Sequence, residues 1–266
     1  MTNVEAPQTP STADSGRLEG RTAIITGSTS GIGAATGRAL AAAGAHVLIS
    51  GRDAGRGEAV VAEIRRAGGR ADFRAVNLAG TYEEIRAFAA EATNLLGGRV
   101  DILINNAGIY PATPTPELPD ADLDAMLAVN IRAPHVLVAS IVPAMAERGS
   151  GSIVNIGSWM AQVGSPIAAL YTATKAADEQ LTRAWAAEFG PRGVRVNSVA
   201  PGVTLTPGND AHRPVLDAMT LSTPAGEVVL PHDIAAGVLY LVSDAARMVH
   251  GITLYVDGGI TATRLG

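Results

Sequence analysis

Short runs of β-branched and aliphatic residues alternate with longer helical patterns along most of the chain. This alternation is typical of βαβ units, in which helices connect parallel strands and cover both faces of a sheet. It therefore predicts an α/β fold with seven parallel strands. The strands are expected at residues 22–26, 46–50, 72–76, 101–104, 153–156, 195–199 and 253–256, and the main helices at residues 32–43, 56–66, 82–96, 123–147, 169–189 and 234–242.

The length and composition of the chain fit one large domain. An open α/β sheet commonly needs about 200 residues or more, and this chain has 266. Hydrophobic residues make up 47% of it, which supplies an extensive core. The net charge of −5 gives no basic surface for phosphate backbones, so we expect no nucleic-acid partner. There is no cysteine and the five histidines are scattered, so no metal site is expected.

The N-terminal segment differs from the rest of the chain. Residues 1–17 are polar and show no periodicity, so we predict a disordered tail followed by one domain at residues 18–266. The segment lacks the apolar stretch of a signal peptide, and no apolar run approaches the length of a membrane-spanning helix. We therefore expect a cytoplasmic protein that does not interact with membranes.

One long stretch between Pro201 and Pro231 has no clear periodicity. Structureless loops of this length inside a domain are usually functional. The part from Val215 to Leu221 is predicted to form a short helix, which favours a mobile flap over a bound substrate. A surface excursion without a function is the alternative.

The first predicted strand leads directly into the glycine-rich sequence TGSTSGIG. Gly27 permits a tight exit from the strand, Gly31 lets backbone N–H groups approach a pyrophosphate, and Gly33 allows close packing of the helix on the sheet. Such a turn predicts an anion site at the helix N-terminus. Methyltransferases and flavoproteins share this feature, so the turn alone does not specify the ligand.

Distinctive residues follow six of the predicted strands at the point where each strand ends. Ligands of doubly wound sheets bind outside the carboxyl ends of the strands, where the loops converge. The sequence therefore predicts one crevice that gathers these residues: Gly27, Arg52, Asn77, Asn105, Ser158 and Pro201.

Tyr171 and Lys175 lie four residues apart in the segment YTATK, on one face of a predicted helix. An isolated pair of this kind is more often an exposed lysine beside a half-buried tyrosine. A phenol has an ordinary pKa near 10, and a neighbouring ammonium lowers it by stabilising the phenolate. Together with the glycine turn, the pair predicts hydride transfer with Tyr171 as the acid/base. Ser158, which alone would be interpreted as a turn or cap residue, is then placed to bond the substrate oxygen.

The sequence resembles the classical short-chain dehydrogenases/reductases from about Leu18 to Gly259. The motifs that carry the resemblance are TGSTSGIG, NNAG at 105–108, Asn130 in AVN, Ser158 in IGS, YTATK, and Pro201 with Gly202. The resemblance implies a single doubly wound Rossmann-type domain with strand order 3-2-1-4-5-6-7. It also implies a nicotinamide cofactor, a small carbonyl or alcohol substrate, and a homotetramer.

The resemblance also implies the roles of individual residues. Asn130, Ser158, Tyr171 and Lys175 form a catalytic tetrad, in which Lys175 holds the nicotinamide ribose and Asn130 organises a water that links Lys175 to solvent. Asn130 also suits a bond to backbone groups at a kink before Pro134. The residues expected to contact the dinucleotide are Gly27, Ser30, Gly31, Ile32, Gly33, Arg52, Asn77, Leu78, Asn105, Ala107, Gly108, Tyr171, Lys175, Pro201, Gly202, Thr204 and Thr206.

For some residues a more specific role is expected. Asn105 is expected to stabilise the sheet edge and the cofactor pocket, and Gly108 to leave space on the adenosine-ribose side. Asn77 stands where the family usually has Asp against adenine. Thr204 and Thr206 match positions that hold the nicotinamide carboxamide. The substrate pocket is expected to involve Trp159, Met160, Gln162 and Tyr110, although Trp159 suits the core equally well.

The end of the second strand decides between the two nicotinamide cofactors. NAD-preferring relatives carry an acid where this chain has Gly51, and the next residue here is Arg52. An arginine at this place can bind the 2′-phosphate of NADP(H), so NADP(H) is favoured and NAD(H) is possible. Asp53 argues the other way unless it caps the next helix. A second basic residue, usual in many NADP users before the central glycine, is replaced by Ser30.

Two other functions are compatible with parts of the pattern. A catalytically idle dinucleotide sensor would keep the glycine turn without needing Ser158, Tyr171 and Lys175 together. A sugar-nucleotide epimerase would need a further substrate domain for which the chain has little room. The substrate is not predicted, because the same fold and tetrad serve many substrates.

Overall fold

The computed structural model describes residues 18–263 as a single Rossmann-type domain. The sheet has seven parallel strands in the order β3-β2-β1-β4-β5-β6-β7, which confirms the predicted fold class and strand order. The predicted disordered tail lies outside the described residues. The strands are β1 (Thr22–Ile25), β2 (His46–Gly51), β3 (Arg70–Ala75), β4 (Ile102–Asn105), β5 (Gly151–Ile156), β6 (Val194–Pro201) and β7 (Thr253–Val256).

Eight α-helices connect these strands. They are α1 (Gly31–Ala42), α2 (Ala54–Arg66), α3 (Tyr82–Leu95), α4 (Asp120–Leu127), α5 (Ala133–Arg148), α6 (Ala169–Phe189), α7 (Arg213–Thr220) and α8 (Pro231–Val242). The short helix predicted at 215–221 corresponds to α7. Local signals fix several helix ends: Thr81 and Glu84 form a capping box at the start of α3, and Gly149, with φ of +69°, ends α5.

The core lies in two layers, one on each face of the sheet. Side chains alternate between the faces along a strand, so Ile25 and Ile104 pack with α1, α2 and α8, whereas Ile24 and Leu103 pack with α3, α5 and α6. All four side chains are completely buried. Because β1, β4 and β5 run parallel, the loops at their carboxyl ends lie at one edge of the sheet.

Bounds of β3, β5 and β6 differ from the prediction by two residues, and β3 at the edge of the sheet shows the reason. β3 begins at Arg70 rather than Asp72, because the backbone of Arg70 and Ala71 pairs with β2 although Arg70 is exposed. Backbone pairing does not require an apolar side chain, so hydrophobic patterns miss such residues.

Helices α4 and α5 form one continuous helical stretch, Asp120–Arg148, joined by a π-helical turn over Ala128–Arg132. Contrary to the expectation from the sequence, this stretch has the length and the apolar composition that a membrane-spanning helix needs. Its residues Val136, Leu137 and Ile141 pack in the core under the sheet, as in a core helix of a globular domain.

Shortening a central side chain should test the packing of the core. We predict that Leu103→Ala lowers the free energy of unfolding by about 2–5 kcal/mol, because it leaves a cavity in the middle of the sheet. Urea unfolding followed by circular dichroism measures this change. Leu221→Ala is the control: its side chain is 74% exposed, and the expected change is below about 0.5 kcal/mol. Equal effects of the two substitutions would contradict the described packing.

Candidate active site

A buried hydroxyl holds together the loops that follow β1 and β4. Thr26 Oγ1 accepts hydrogen bonds from the backbone N–H groups of Asn106 and Ala107, each at 3.0 Å. It also donates to the carbonyl of Ile104 at 3.2 Å. The glycine turn after β1 therefore lies in a fixed position against the loop that contains the NNAG sequence.

The glycine turn has a geometry that other residues would not tolerate. Gly27 and Gly31 have φ values of +63° and +53°. A Cβ atom at Gly33 would lie 2.5 Å from both the side-chain Nδ2 of Asn106 and the backbone carbonyl oxygen of Gly27. At the helix N-terminus, Ser30 makes no side-chain cap hydrogen bond. The backbone of Gly33 lies close to that of Gly27, and the N-terminus of α1 has no side-chain cap. Both features fit a bound pyrophosphate.

A cleft of about 420 Å³ opens above this turn. Eleven of the residues expected to contact the dinucleotide lie in its wall: Gly27, Ser30, Gly31, Ile32, Gly33, Arg52, Asn77, Leu78, Ala107, Gly108 and Thr206. The wall does not include Asn105, Tyr171, Lys175, Pro201, Gly202 or Thr204.

Asn105 has a structural position instead of a place in the cleft. As the last residue of β4 it is buried, and its Nδ2 donates to Asn155 Oδ1 on β5 at 2.9 Å. The neighbouring Asn106, which the sequence analysis did not select, lines the cleft and donates to the carbonyls of Thr26 and Gly27. Asn106 rather than Asn105 thus lies in the wall of the cleft, the bond of Asn105 to Asn155 agrees with its expected role at the sheet edge, and its expected contact with the cofactor stays a prediction.

Two arginines line the cleft at the end of β2. Arg52 was expected there, and Arg56 in the first turn of α2 was not. Asp53 caps α2 by accepting from the Arg56 N–H at 3.0 Å, and its other oxygen lies 2.8 Å from Arg56 Nε. The backbone bond from Arg56 is the main cause that lowers the pKa of Asp53. The carboxylate of Asp53 is thus engaged by Arg56.

At the far wall, Asn77 Oδ1 accepts from the N–H of Ala79 at 3.1 Å. The amide oxygen that was expected to face adenine therefore already has one donor. A carbonyl oxygen has two lone pairs, so one acceptor position of Asn77 is still compatible with a ligand amine.

Lys175 lies in the centre of the site and is only 5% exposed. Its Nζ donates to the carbonyl of Ile156 on β5 at 2.8 Å and to Asp178 Oδ2 at 3.1 Å. Burial alone lowers the pKa of Lys175, but the charges of Asp178 and Tyr171 outweigh it and raise that pKa. The contacts of Lys175 therefore favour its ammonium form, as the acid/base hypothesis requires.

Tyr171 is half-buried, with its ring centroid 6.0 Å from Lys175 Nζ. The ring of Tyr110 packs against it at a centroid distance of 4.5 Å and a tilt of 58°. Burial is the main cause that raises the pKa of Tyr110, and Tyr171 adds to it. Tyr110 is therefore a neutral aromatic wall beside Tyr171.

Asn130 lies in the π-helical turn and connects α6 to the loop after β4. Its Nδ2 donates to Ile109 O and Thr174 Oγ1, and its Oδ1 accepts from Ile109 N. One amide hydrogen and the amide oxygen therefore hold the loop at Ile109, and the other amide hydrogen bonds Thr174 on α6. These partners differ from the expected backbone groups at a kink before Pro134.

Gly108 lines the cleft and lies beside Asn130 and Lys175. A Cβ at this position would be 3.6 Å from both Asn130 Oδ1 and Lys175 Nζ. The space that Gly108 leaves therefore adjoins Lys175, and its expected role on the adenosine-ribose side stays a prediction.

The buried Ser158 precedes a short 3-10 turn, and its Oγ accepts from the N–H of Met160 at 3.2 Å. That bond uses a lone pair and leaves the hydroxyl hydrogen for another acceptor. Trp159 and Met160 in the turn are half-buried, and Trp159 belongs to neither core layer.

The loop after β6 is organised by Asn209, which the sequence analysis missed. Its Oδ1 accepts from Thr206 N at 2.7 Å and from Thr206 Oγ1 at 3.2 Å, and its Nδ2 donates to Thr204 O. Thr206 lies close to Gly31, so this loop closes the cleft above the glycine turn. Pro201 and Gly202 lie behind it, where Gly202 packs against the backbone of Asp257.

Among residues 18–263 no group of three or more His, Asp or Glu side chains has a geometry that suits a metal ion. The polar groups that converge at this edge are hydroxyls, amides, a phenol, an ammonium and guanidinium groups. This set can bind a phosphorylated dinucleotide and move a proton at a substrate oxygen.

Comparisons with known proteins agree with this arrangement. Residues 27–261 match the sequence model of a family described as enoyl-(acyl carrier protein) reductase. D-threitol dehydrogenase from Mycolicibacterium smegmatis is 38% identical over 247 residues, which cover 92% of this chain and 94% of that protein. The chain belongs to the classical short-chain dehydrogenase/reductase family.

Two solved structures of the family are also similar. One, from Beutenbergia cavernae, is assigned provisionally as an NAD(P)-dependent gluconate 5-dehydrogenase and contains NADP at low occupancy. It is 40% identical with a TM-score of 0.86, and the match covers 93% of this chain and 99% of that one. The other is a 7α-hydroxysteroid dehydrogenase with NADH and 7-oxo glycochenodeoxycholic acid. It is 35% identical with a TM-score of 0.89 and coverages of 94% and 98%.

Family membership makes this short-chain dehydrogenase/reductase an NAD(P)-binding oxidoreductase that acts on a small alcohol or carbonyl compound. The glycine turn gives a direct test of the cofactor cleft. We predict that Gly33→Ala raises the dissociation constant of NADPH at least about 10-fold, because the added methyl group would overlap Asn106 and Gly27. Titration of NADPH fluorescence measures it.

Gly55→Ala is the matched control, since Gly55 lies in the first turn of α2 and its added Cβ would have only an ordinary contact at 3.5 Å. The control should bind NADPH within about twofold of the wild type. Equal binding by the Gly33→Ala variant would show that the turn does not hold the cofactor.

Proposed function

We propose that this enzyme interconverts a carbonyl compound and a secondary alcohol with NADP(H), using Tyr171 as the general acid/base. The observation that carries the proposal is the buried, paired ammonium of Lys175, which lies one helical turn from Tyr171 and beside Gly108 at the end of the cleft. Burial of an ammonium costs free energy unless a carboxylate or a carbonyl pairs with it, as Asp178 and Ile156 do here.

The residues present fit a nicotinamide dinucleotide. The N-terminus of α1 and the glycine turn would hold the pyrophosphate, and the loop that Asn209 organises would cover it. Lys175 and Gly108 would adjoin the nicotinamide ribose. When bound, the nicotinamide supplies or accepts the hydride.

The side chains at the end of the cleft would handle the proton. In reduction, the phenol of Tyr171 donates its proton to the substrate oxygen as negative charge develops there. The Lys175 ammonium stabilises the resulting phenolate, and the remaining hydroxyl hydrogen of Ser158 bonds the same oxygen. In alcohol oxidation the phenolate of Tyr171 takes the proton back.

The proposed preference for NADP(H) is supported by the two guanidinium groups in the cleft wall. Arg56, whose Nε is paired with Asp53, brings a second guanidinium group to the wall, where Ser30 brings none. Since Asp53 caps α2 and is paired with Arg56, its carboxylate is not the ribose acceptor that an NAD enzyme would place here. From the resemblance to the family we also propose a homotetramer, and from the sequence a cytoplasmic location.

The acid/base role is tested by removing one hydroxyl. We predict that Tyr171→Phe lowers kcat by about 10²–10⁴-fold with little change in NADPH binding, because the ring stays while the proton donor is lost. A panel of ketones followed at 340 nm with NADPH gives the rates. Tyr110→Phe removes a hydroxyl from the adjacent ring and should keep kcat within about threefold. Wild-type rates from the Tyr171→Phe variant would overturn the assignment.

The cofactor preference is tested by changing the charge at the end of β2. We predict that Arg52→Asp lowers kcat/KM for NADPH by about 100-fold and leaves that for NADH within about threefold, because it replaces a phosphate partner by a repelling carboxylate. Arg56→Gln should lower the value for NADPH by about 10-fold. Arg66→Gln, in the last turn of the same helix, is the control with no expected effect. An unchanged NADPH to NADH ratio in both cleft variants would exclude NADP specificity through these residues.

A further inference from the structure

Two adjacent carboxylates, Asp178 and Glu179, are buried on α6 just after Lys175. They are 5% and 4% exposed, whereas aspartate and glutamate are almost never fully buried unless they are paired. The acid/base step described above uses neither of them. Their contacts therefore have to explain why the fold tolerates two acids in its interior.

The two carboxylates have different partners. Glu179 accepts from Gln162 Nε2 at 2.7 Å and from the hydroxyl of Tyr255 at 2.8 Å, so both of its oxygens are bonded away from Lys175. Asp178 is bonded to Lys175 Nζ, and both side chains are almost completely enclosed. Asp178 is thus the acid that is coupled to the ammonium beside Tyr171.

The ammonium of Lys175 has three hydrogens. Asp178 and the carbonyl of Ile156 take two of them, one from α6 and one from β5. The third is left for the space beside Gly108 and Asn130. With two donors fixed, the lysine side chain has little freedom to rotate away from the cleft.

The charges around Lys175 also determine the electrostatic field at Tyr171. The titratable groups facing it are Tyr171 and Asp178 on its own helix. The other elements around it contribute the carbonyl of Ile156, Gly108 and the neutral amide of Asn130, while Tyr110 faces Tyr171. Burial raises the pKa of Asp178 and Lys175 opposes this rise, so each partner favours the charged form of the other. An ammonium that is paired in this way attracts a phenolate less strongly than an unpaired one.

We propose that Asp178 is a positioning residue that fixes Lys175 against β5 and offsets the charge that the Lys175 ammonium presents to Tyr171. This inference rests on the proposed acid/base function of Tyr171. Its consequence is that alcohol oxidation, which needs the phenolate, has its acidic limit at a higher pH than an unpaired lysine would give.

The experiment measures ionisation of Tyr171 directly. Phenolate absorbance at 295 nm is titrated in the full-length wild type and in Asp178→Asn, each with and without Tyr171→Phe, so that the difference isolates one of the five tyrosines. The near-isosteric asparagine keeps an oxygen acceptor for Lys175 and removes the charge. We expect the Tyr171 midpoint to fall by about one pH unit, and the acidic limb of kcat/KM for alcohol oxidation to fall with it.

Two further variants separate charge from structure. Asp178→Glu keeps the charge and should stay within about 0.3 pH unit of the wild-type midpoint. Glu179→Gln removes the neighbouring carboxylate, which does not contact Lys175, and should move the midpoint less than Asp178→Asn does. If Asp178→Asn does not fold, as judged by its circular dichroism spectrum, Asp178→Ser is titrated in its place.

A midpoint that is unchanged, or that rises, on loss of the Asp178 charge would overturn the inference. The titration does not depend on turnover, so this result is distinct from failure of the proposed function, which would appear as full activity of the Tyr171→Phe variant. A shift equal in Glu179→Gln and Asp178→Asn would also overturn it, because the effect would then not depend on the contact with Lys175.

Discussion

The parallel pairing of β1, β4, β5 and β6 is the constraint on which the whole site depends. Because these strands run in one direction, their carboxyl ends and the loops that follow them meet at the same edge. The hydroxyl of Thr26 then ties the glycine turn to the loop after β4, and the carbonyl of Ile156, at the end of β5, holds Lys175. One side-chain hydroxyl and one backbone carbonyl at this edge thus position the cleft and Lys175.

A buried cation is the second requirement. Lys175 is stabilised in the interior by one backbone carbonyl and one carboxylate, and each is supplied by an element that also builds the core. Asn130 joins the loop after β4 to α6 through its bonds to Ile109 and Thr174. The space that remains beside the ammonium is the space that Gly108 leaves. The proposed chemistry therefore follows from how this single charge is held. The proposed effect of Asp178 on Tyr171 acts through Lys175, which lies between them on α6.

Much of this arrangement is predictable from the sequence because it depends on periodicity and on the spacing of a few residues. The alternation of strand and helix patterns gave the seven strands, and the glycine turn and the YTATK segment marked both ends of the site. The omissions have physical reasons. Asn106 lines the cleft although only its neighbour Asn105 was selected, because a shift of one residue at the end of a strand exchanges the buried face for the cleft. Arg56 and Asn209 act through loop and helix-cap geometry, which has no hydrophobic signature. An acid three residues after a lysine is typical of an exposed helical ion pair, so the burial of Asp178 emerges only from the packing of α6 on the sheet.

The most direct test of this account is a crystal structure of the ternary complex with NADP and the alcohol that gives the highest rate. The account predicts that the hydroxyl of Tyr171 lies about 2.6–3.2 Å from the substrate oxygen. It also predicts that Lys175 Nζ contacts the nicotinamide ribose while keeping its bond to Asp178. A substrate oxygen that is bound away from Tyr171, or a nicotinamide ring at the opposite end of the cleft from Lys175, would contradict it.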